Sequence, residues 1–311
     1  VVEAVVAQLS RAAEPMPPVW LRPLPARLPL TAVLGGPVRR DAEGLHAPSP
    51  SGSGLRVPVG LEDDPAHQAQ RPWELDLTVG GGHVAVVGAP QSGRTTFLWT
   101  LATSAAVTLP PDRLAFYGVD ATGGGLSRLA ALPNVGGMGT RGDRERMRRV
   151  LEEVVAMLDQ RERVLAAHRI DSLEVLRARH AAGELPELAS ADAVLLVDGL
   201  GLLRSDFPEL EDPLDEVLRR GGGLGVHAVM TLSRGNDLRM SQQSLVGTRL
   251  ELRLNDPADS LVARKLSATL RADTPGRVLR ADKLFAQVAL PVTAGSDLSG
   301  GVGAALEALS E

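Results

Sequence analysis

The chain has 311 residues, 44% hydrophobic and 23% charged, enough to bury a full core as one large domain or one domain with an appendage. Its formal net charge is −5, with Lys and Arg dispersed among acids, which argues against a dedicated nucleic-acid surface, since that needs clustered cations to displace counterions. The absence of cysteine excludes disulfides and thiolate zinc sites and suits a reducing compartment, while an aromatic content of 3% leaves the core to Leu, Val and Ala.

In chain order, VVEAVVAQLS lacks the cationic start and cleavage site of a signal peptide. No apolar run in the chain approaches the roughly 20 residues of a membrane span. The segment is expected to be soluble and unsecreted and, lacking an initiator Met, to come from a longer chain that could carry its own anchor. Val2, Val5, Val6 and Leu9 recur at helical spacing and predict a short amphipathic helix over 2–13 that docks one face. From Glu14 to Pro65 prolines recur and Ser51–Gly54 supplies a flexible tip, predicting extended connections and short edge strands. Residues 1–60 thus read as a helix and Pro-rich strap, 61–292 as the main domain, and 293–311 as a Gly-rich tail with a short helix over Val302–Leu309.

From Trp73 onward, short apolar runs alternate with amphipathic stretches. Strands are predicted at His83–Gly88, Arg113–Asp120, Ala193–Asp198, Val226–Leu232, Arg249–Leu254 and Phe285–Pro291. Helices are predicted over Thr95–Val107 and over Arg141–Ala182, the latter broken near His168–Ser172 and carrying pairs such as Glu145 with Arg149. This alternation defines an α/β domain with a mainly parallel sheet flanked by helices.

Gly88-Ala89-Pro90-Gln91-Ser92-Gly93-Arg94-Thr95 has the spacing of the phosphate loop G-x-x-x-x-G-K-[ST] at every fixed position but the lysine, replaced by Arg94. It lies between a predicted strand and helix, where inward N–H groups and the helix N-terminus hold anionic phosphates. Thr96 follows, and the Thr95 hydroxyl would reach a magnesium ion. The competing reading, a Gly/Ser turn with a Thr cap, must also explain the second motif: the apolar strand Ala193–Val197 ending in Asp198, which suits an acid holding magnesium through water. Lysine is a compact cation, whereas guanidinium is wide and planar, so Arg94 is expected to preserve binding and impair transition-state positioning. Gly199 stands where a motor ATPase carries a second acid to polarise water. Asp120 is the nearest alternative acid, or else it caps the turn leading to Gly123-Gly124-Gly125.

From about Val57 to Pro291 the chain resembles the FtsK/SpoIIIE-type domains of EccC secretion ATPases. The blocks that carry this are VPVGLEDDPAHQAQRPWELDL, GGHVAVVGAPQSGRTT, LLVDGLGLLRSDFPELE, GLGVHAVMTLSRGNDLR, GTRLELRLNDPADS and TPGRV, with GGGL at 123–126. The resemblance implies a RecA-like P-loop NTPase core, ATP with Mg2+, and cytoplasmic placement beneath a membrane complex reached only through the parent protein. It implies partners as well: other ATPase domains of the same motor, a homo-hexamer of the parent, and an exported EsxB-like substrate bound through its C-terminal signal helix, with no nucleic acid. By position, Ser233 takes the place of the polar sensor residue. Arg249 lies where related motors offer an arginine to a neighbour's nucleotide, unless it is a strand-edge salt-bridge partner. Arg94 and Gly199 depart from the hydrolysing pattern and mark a later, degenerate domain that binds ATP with weak or absent hydrolysis. An active ATPase motor and a DNA translocase of the same fold are the alternatives.

Overall fold

The computed structural model describes residues 20–41, 44–48, 54–123 and 125–291, together with positions 2, 3, 5 and 8. Those four positions are helical, but Val2 and Val5 are exposed, so the docking of that face expected from their spacing is not made by these two residues. Val6, Leu9, residues 51–53, Gly124 and the predicted helix Val302–Leu309 lie outside the described residues.

The described part of the Pro-rich segment is mostly irregular, with a 3-10 turn at Leu30–Ala32 and the short strands its composition predicts. Its strands β1 (Arg39–Asp41) and β2 (Gly44–His46) pair antiparallel. Leu28, Leu30, Val33 and Leu34 are buried together with Ala289. Prolines lack an N–H, so docking falls to their neighbours: Leu30 N–H donates to the Leu290 carbonyl at 2.9 Å, and Leu290 N–H to that of Leu28 at 2.7 Å.

Next come β3 (Arg56–Asp64), β4 (Ala69–Asp76), β5 (His83–Val87), α1 (Arg94–Thr108), β6 (Leu114–Asp120), β7 (Val135–Thr140), α2 (Arg144–His168) and α3 (Leu173–Ala181). They are followed by β8 (Asp192–Asp198), α4 (Leu200–Asp206), α5 (Glu211–Leu224), β9 (Val226–Leu232), α6 (Met240–Gln243), β10 (Val246–Glu251), α7 (Arg264–Ser267), β11 (Arg277–Arg280) and β12 (Phe285–Val288). Ten strands form one sheet in the order β4-β3-β12-β11-β10-β5-β9-β8-β6-β7. From β10 to β7 all neighbours are parallel, and from β4 to β10 all are antiparallel.

The parallel strands are apolar on both faces because both faces are covered. Val84 and Val86 pack with Phe97, Leu98 and Leu101 of α1, whereas Ala85 and Val87 pack with Met147 and Leu151 of α2 and Leu214 of α5. On the outer side of α2, Glu145 bonds Arg149 at 2.9 Å, as the charge spacing predicts. This helix begins at Asp143, whose carboxylate accepts the Arg146 N–H at 2.9 Å. Asp143→Ala is expected to cost about 1 kcal/mol through loss of that cap, measured as a urea midpoint shift with unchanged slope.

Strands β4, β7 and β11 were not predicted, and β10 differs in its bounds. The glycine-rich run Val135–Thr140 forms β7 and was not predicted. A Cβ at Gly139 would lie 2.6 Å from the Met147 backbone, so the glycine that hides the strand is what lets α2 close on it. Strand β10 begins at Val246, ahead of the expected Arg249, and ends at Glu251. Beyond it the alternating residues run along the phosphate loop instead, with Leu252 N–H donating to Val87 O at 2.8 Å and Ala89 N–H to Arg253 O at 2.7 Å.

Candidate nucleotide site

The loop from Gly88 to Gly93 joins β5 to α1 at the C-terminal edge of the parallel strands, the place where open α/β sheets bind ligands. Gln91 and Gly93 take positive φ angles of 60° and 107°, curling the loop back on itself. Gly88 N–H is tied to the Leu232 carbonyl at 3.0 Å, and the Ser92 carbonyl accepts the Gly276 N–H at 2.8 Å. Arg94, Thr95 and Thr96 open α1, so their N–H groups have no acceptor within the helix. Ser92 Oγ is buried and has no hydrogen-bond partner among the described residues. The helix-start N–H groups beside an orphaned buried hydroxyl fit an anionic group such as a phosphate.

Asp198, at the tip of β8 and almost fully buried, is the hub of the site. Thr95 Oγ1 donates to its Oδ2 at 2.7 Å and Thr231 Oγ1 to its Oδ1 at 2.5 Å. The Thr122 hydroxyl lies 3.2 Å from Asp198 Oδ2 and 2.9 Å from Asp120 Oδ1. The geometry thus joins Thr95 to Asp198, the hydroxyl and carboxylate that would share a hydrated Mg2+. Thr231 was not anticipated, although a single threonine in the apolar run of β9 is the kind of buried polar residue that requires a partner.

Arg94 donates from Nη1 to Ser233 Oγ at 2.8 Å, bringing two sequence-predicted positions together. Burial lowers its pKa, with Asp198 and Asp237 pulling the other way. Asp237, also missed in the sequence, accepts the N–H groups of Ser233 at 2.8 Å and Arg234 at 3.0 Å, fixing the turn after β9. Asp120 accepts the N–H groups of Thr122, Gly123, Gly125 and Leu126 at 2.8 to 3.1 Å. Its carboxylate therefore caps the turn.

Gly199 has φ 85° and ψ 59°, and its N–H donates to Thr231 Oγ1 at 2.8 Å. Arg249 sits apart on β10, half-buried beside Gly235. Burial lowers its pKa against the pull of Glu251, and among the described residues its guanidinium has no hydrogen bond or ion pair. A cleft of about 1000 Å³ lies between α2 and the β6–β7 edge, is lined by Tyr117, Val135, Met157 and Val164, and shares no residue with the phosphate loop.

A mainly parallel sheet with helices on both faces, a strand-loop-helix phosphate cradle and an acid at a neighbouring strand tip define a RecA-like P-loop ATPase domain. Residues 43–294 match the FtsK/SpoIIIE family, and the chain belongs to it. It is 40% identical over 290 residues to the ESX secretion system protein EccC of Thermomonospora curvata, covering 93% of this chain and 22% of that protein. It is 34% identical over 291 residues to the ESX-1 secretion system protein EccCb1 of Mycolicibacterium smegmatis, covering 93% of this chain and 47% of that protein. The structure of T. curvata EccC ATPases 2 and 3 in complex with a signal sequence peptide superposes with a TM-score of 0.86 at 38% identity, over 94% of this chain and 54% of that one. EssC ATPases 2 and 3 from Geobacillus thermodenitrificans, at 22% identity and a TM-score of 0.71, share the fold. The chain is thus homologous to ATPase domains of type VII secretion motors and spans less than half the length of these two curated relatives. Membership of a P-loop ATPase family implies nucleotide binding, typically with Mg2+. No described helix is long and apolar enough to cross a membrane.

Proposed function

We propose that this domain binds Mg–ATP with little or no turnover, and that the bound nucleotide governs its contact with neighbouring ATPase domains of a type VII secretion motor. The observation that carries this reading is Gly199: the position of the second acid is held by a glycine in left-handed backbone, with Thr122 packed against it. Asp120 offers no substitute, because its carboxylate is engaged by four backbone N–H groups. Without a group to orient the attacking water, the cradle holds phosphates but lacks part of the hydrolytic machinery. The loop residues Gly88 to Thr96 bind the phosphates, and Thr95 and Asp198 hold the magnesium side.

On this reading the domain works on the cytoplasmic face of a membrane complex, within a parent that assembles as a hexamer. Arg249, half-buried and without a partner among the described residues, faces a neighbour's nucleotide. The signal sequence peptide bound by the T. curvata protein supports recognition of an exported EsxB-like partner by this domain as well.

Nucleotide content and single-turnover hydrolysis of the purified domain test the proposal. Uncleaved ATP should persist on the wild type, and Thr95→Ala should lower Mg–ATP affinity about tenfold, roughly 1.4 kcal/mol, in titration calorimetry. Rapid cleavage by the wild type, abolished in Thr95→Ala, would establish an active motor instead. A wild type with no affinity for ATP would remove the nucleotide from its function altogether.

A further inference from the structure

Strand β9 is buried along its whole length, and Thr231 carries its one side-chain hydroxyl. Parallel pairing registers Met230 with Val197, so the next residue, Thr231, comes level with Asp198 at the tip of β8. Val229 packs on the α1 side of the sheet, and Met230 and Leu232 pack on the other. Strand alternation therefore turns Thr231 to the side from which Thr95 enters. Three hydroxyls converge on one carboxylate in this way, from α1, from β9 and from the turn after β6.

The three are not equivalent, because a hydroxyl has one proton to give. Thr122 Oγ1 lies 2.9 Å from Asp120 Oδ1 and 3.2 Å from Asp198 Oδ2, so the nearer carboxylate competes for its proton. Thr95 donates to Asp198 Oδ2 at 2.7 Å, on the side where its own oxygen would face magnesium. Thr231 alone holds the other oxygen, Oδ1, at 2.5 Å. Its direction is fixed as well: the Gly199 N–H donates to Thr231 Oγ1 at 2.8 Å, which leaves the hydroxyl proton to Asp198. The χ2 torsion of an aspartate is broad, so a carboxylate tied by one oxygen swings about its Cβ–Cγ bond. Tied by Thr231 on Oδ1 and by Thr95 on Oδ2, it is held in one plane.

We propose that Thr231 is a positioning residue for the magnesium side of the site: it holds Oδ1 of Asp198 so that Oδ2 stays turned to Thr95, and it thereby sets how strongly nucleotide binding depends on Mg2+. The proposal rests on Mg–ATP binding at the phosphate loop and adds the residue that orients the acid. Residues that orient groups on the metal side in this manner typically change metal affinity by about 10- to 100-fold when removed.

The test measures ATP affinity by calorimetry in Mg2+ and again in EDTA, on the wild type, Thr231→Val, Thr231→Ser and Thr95→Ala. Valine keeps the β-branched shape and removes the hydroxyl, whereas serine keeps the hydroxyl and removes the methyl. Thr231→Val is expected to lose about tenfold or more of the affinity in Mg2+ with the affinity in EDTA unchanged, and Thr231→Ser to recover most of that loss. Because both threonines act through Asp198, Thr231→Val added to Thr95→Ala should cost less than the sum of the separate losses. A purely structural hydroxyl would move both media alike. Equal losses in the two media, an Mg2+ gain retained by Thr231→Val, or no recovery in Thr231→Ser would overturn the positioning role while leaving Mg–ATP binding in place. Loss of the cooperative urea transition in Thr231→Val would also overturn it, by assigning the hydroxyl to the fold. A wild type that binds ATP in neither medium would overturn the nucleotide reading itself, and the positioning role with it.

Discussion

Asp192→Ala is expected to lower the stability of the domain by about 3–5 kcal/mol, although the residue lies at the N-terminal end of β8, the end opposite Asp198. Asp192 is fully buried and holds the buried Arg177 through two bonds, Nε at 2.7 Å and Nη2 at 2.8 Å. His227 Nε2 lies 3.3 Å from the same carboxylate, and the buried Arg161 caps the carbonyls of Ser190 and Ala191 beside it. Removing one partner of such a pair leaves an uncompensated buried guanidinium, and that penalty exceeds the net worth of the pair. Burial alone would push the Asp192 carboxyl up, but Arg177 and His227 outweigh it and hold the pKa down at about 2.

The same cluster sets the acid limit. His83 accepts the Ala228 N–H on Nδ1 at 2.9 Å and faces the Leu218 carbonyl with Nε2 at 3.1 Å, so its neutral form fits. Burial, with the nearby His227 charge, lowers its pKa to about 4. Both folded-state pKa values lie below the unfolded ones, so the unfolded chain binds protons first and stability falls with pH. His83 contributes on the order of 3 kcal/mol that is present above about pH 6.5 and lost as pH falls through about 4, while Asp192 extends the loss toward about pH 2. Urea midpoints measured from pH 8 downward should decline from near neutrality, and His83→Gln should flatten the upper part of that decline. A wild-type stability constant to about pH 4.5 would contradict the neutral, buried His83.

The parallel half of the sheet was readable in the sequence because its physics is local. Four apolar runs of strand length, each between turn residues, become β5, β6, β8 and β9, and the helices between them keep their charged faces outward. Legibility failed where a residue serves a neighbour more than its own element. Gly139 weakens the pattern of β7 because α2 needs its space and Gly136 because the Tyr117 ring lies there, and Gly247 hides the start of β10, where a Cβ would meet Val79 O at 2.3 Å. The β3–β4 hairpin was obscured by its prolines, which the antiparallel outer part of the sheet accepts. In the site, the loop and Asp198 were visible as motifs with fixed spacing, and the structure brings Thr95 to Asp198 and Arg94 to Ser233. Thr231 and Asp237 were not visible, because their roles follow from strand order β5-β9-β8, and one sequence does not declare which strands become neighbours.

Restoring the second acid by Gly199→Glu is expected to destabilise the domain by about 3 kcal/mol and not to restore hydrolysis. At φ 85° a non-glycine residue costs about 1–2 kcal/mol in backbone alone. A Cβ there would also lie 2.5 Å from Thr122 Cγ2, and Thr122 bridges Asp120 and Asp198, so it cannot retreat without disturbing both. Arg94→Lys is different, because Arg94 is only partly buried and its guanidinium donates to the Ser233 hydroxyl. That substitution should fold normally and shift ATP affinity by less than about tenfold, since positive charge is preserved at the loop. On the proposed reading it should alone leave single-turnover cleavage slow, because Gly199 still offers no carboxylate to orient water. Cleavage rising above about a hundredfold in Arg94→Lys would mean that the arginine was the whole block, and that the water is positioned from outside the Gly199 site. If Gly199→Glu instead keeps its urea midpoint, the left-handed turn after β8 is not the constraint inferred here. Thermal unfolding of the two variants with and without Mg–ATP separates these cases, because a folded but inactive variant still gains stability from its ligand and a misfolded one does not.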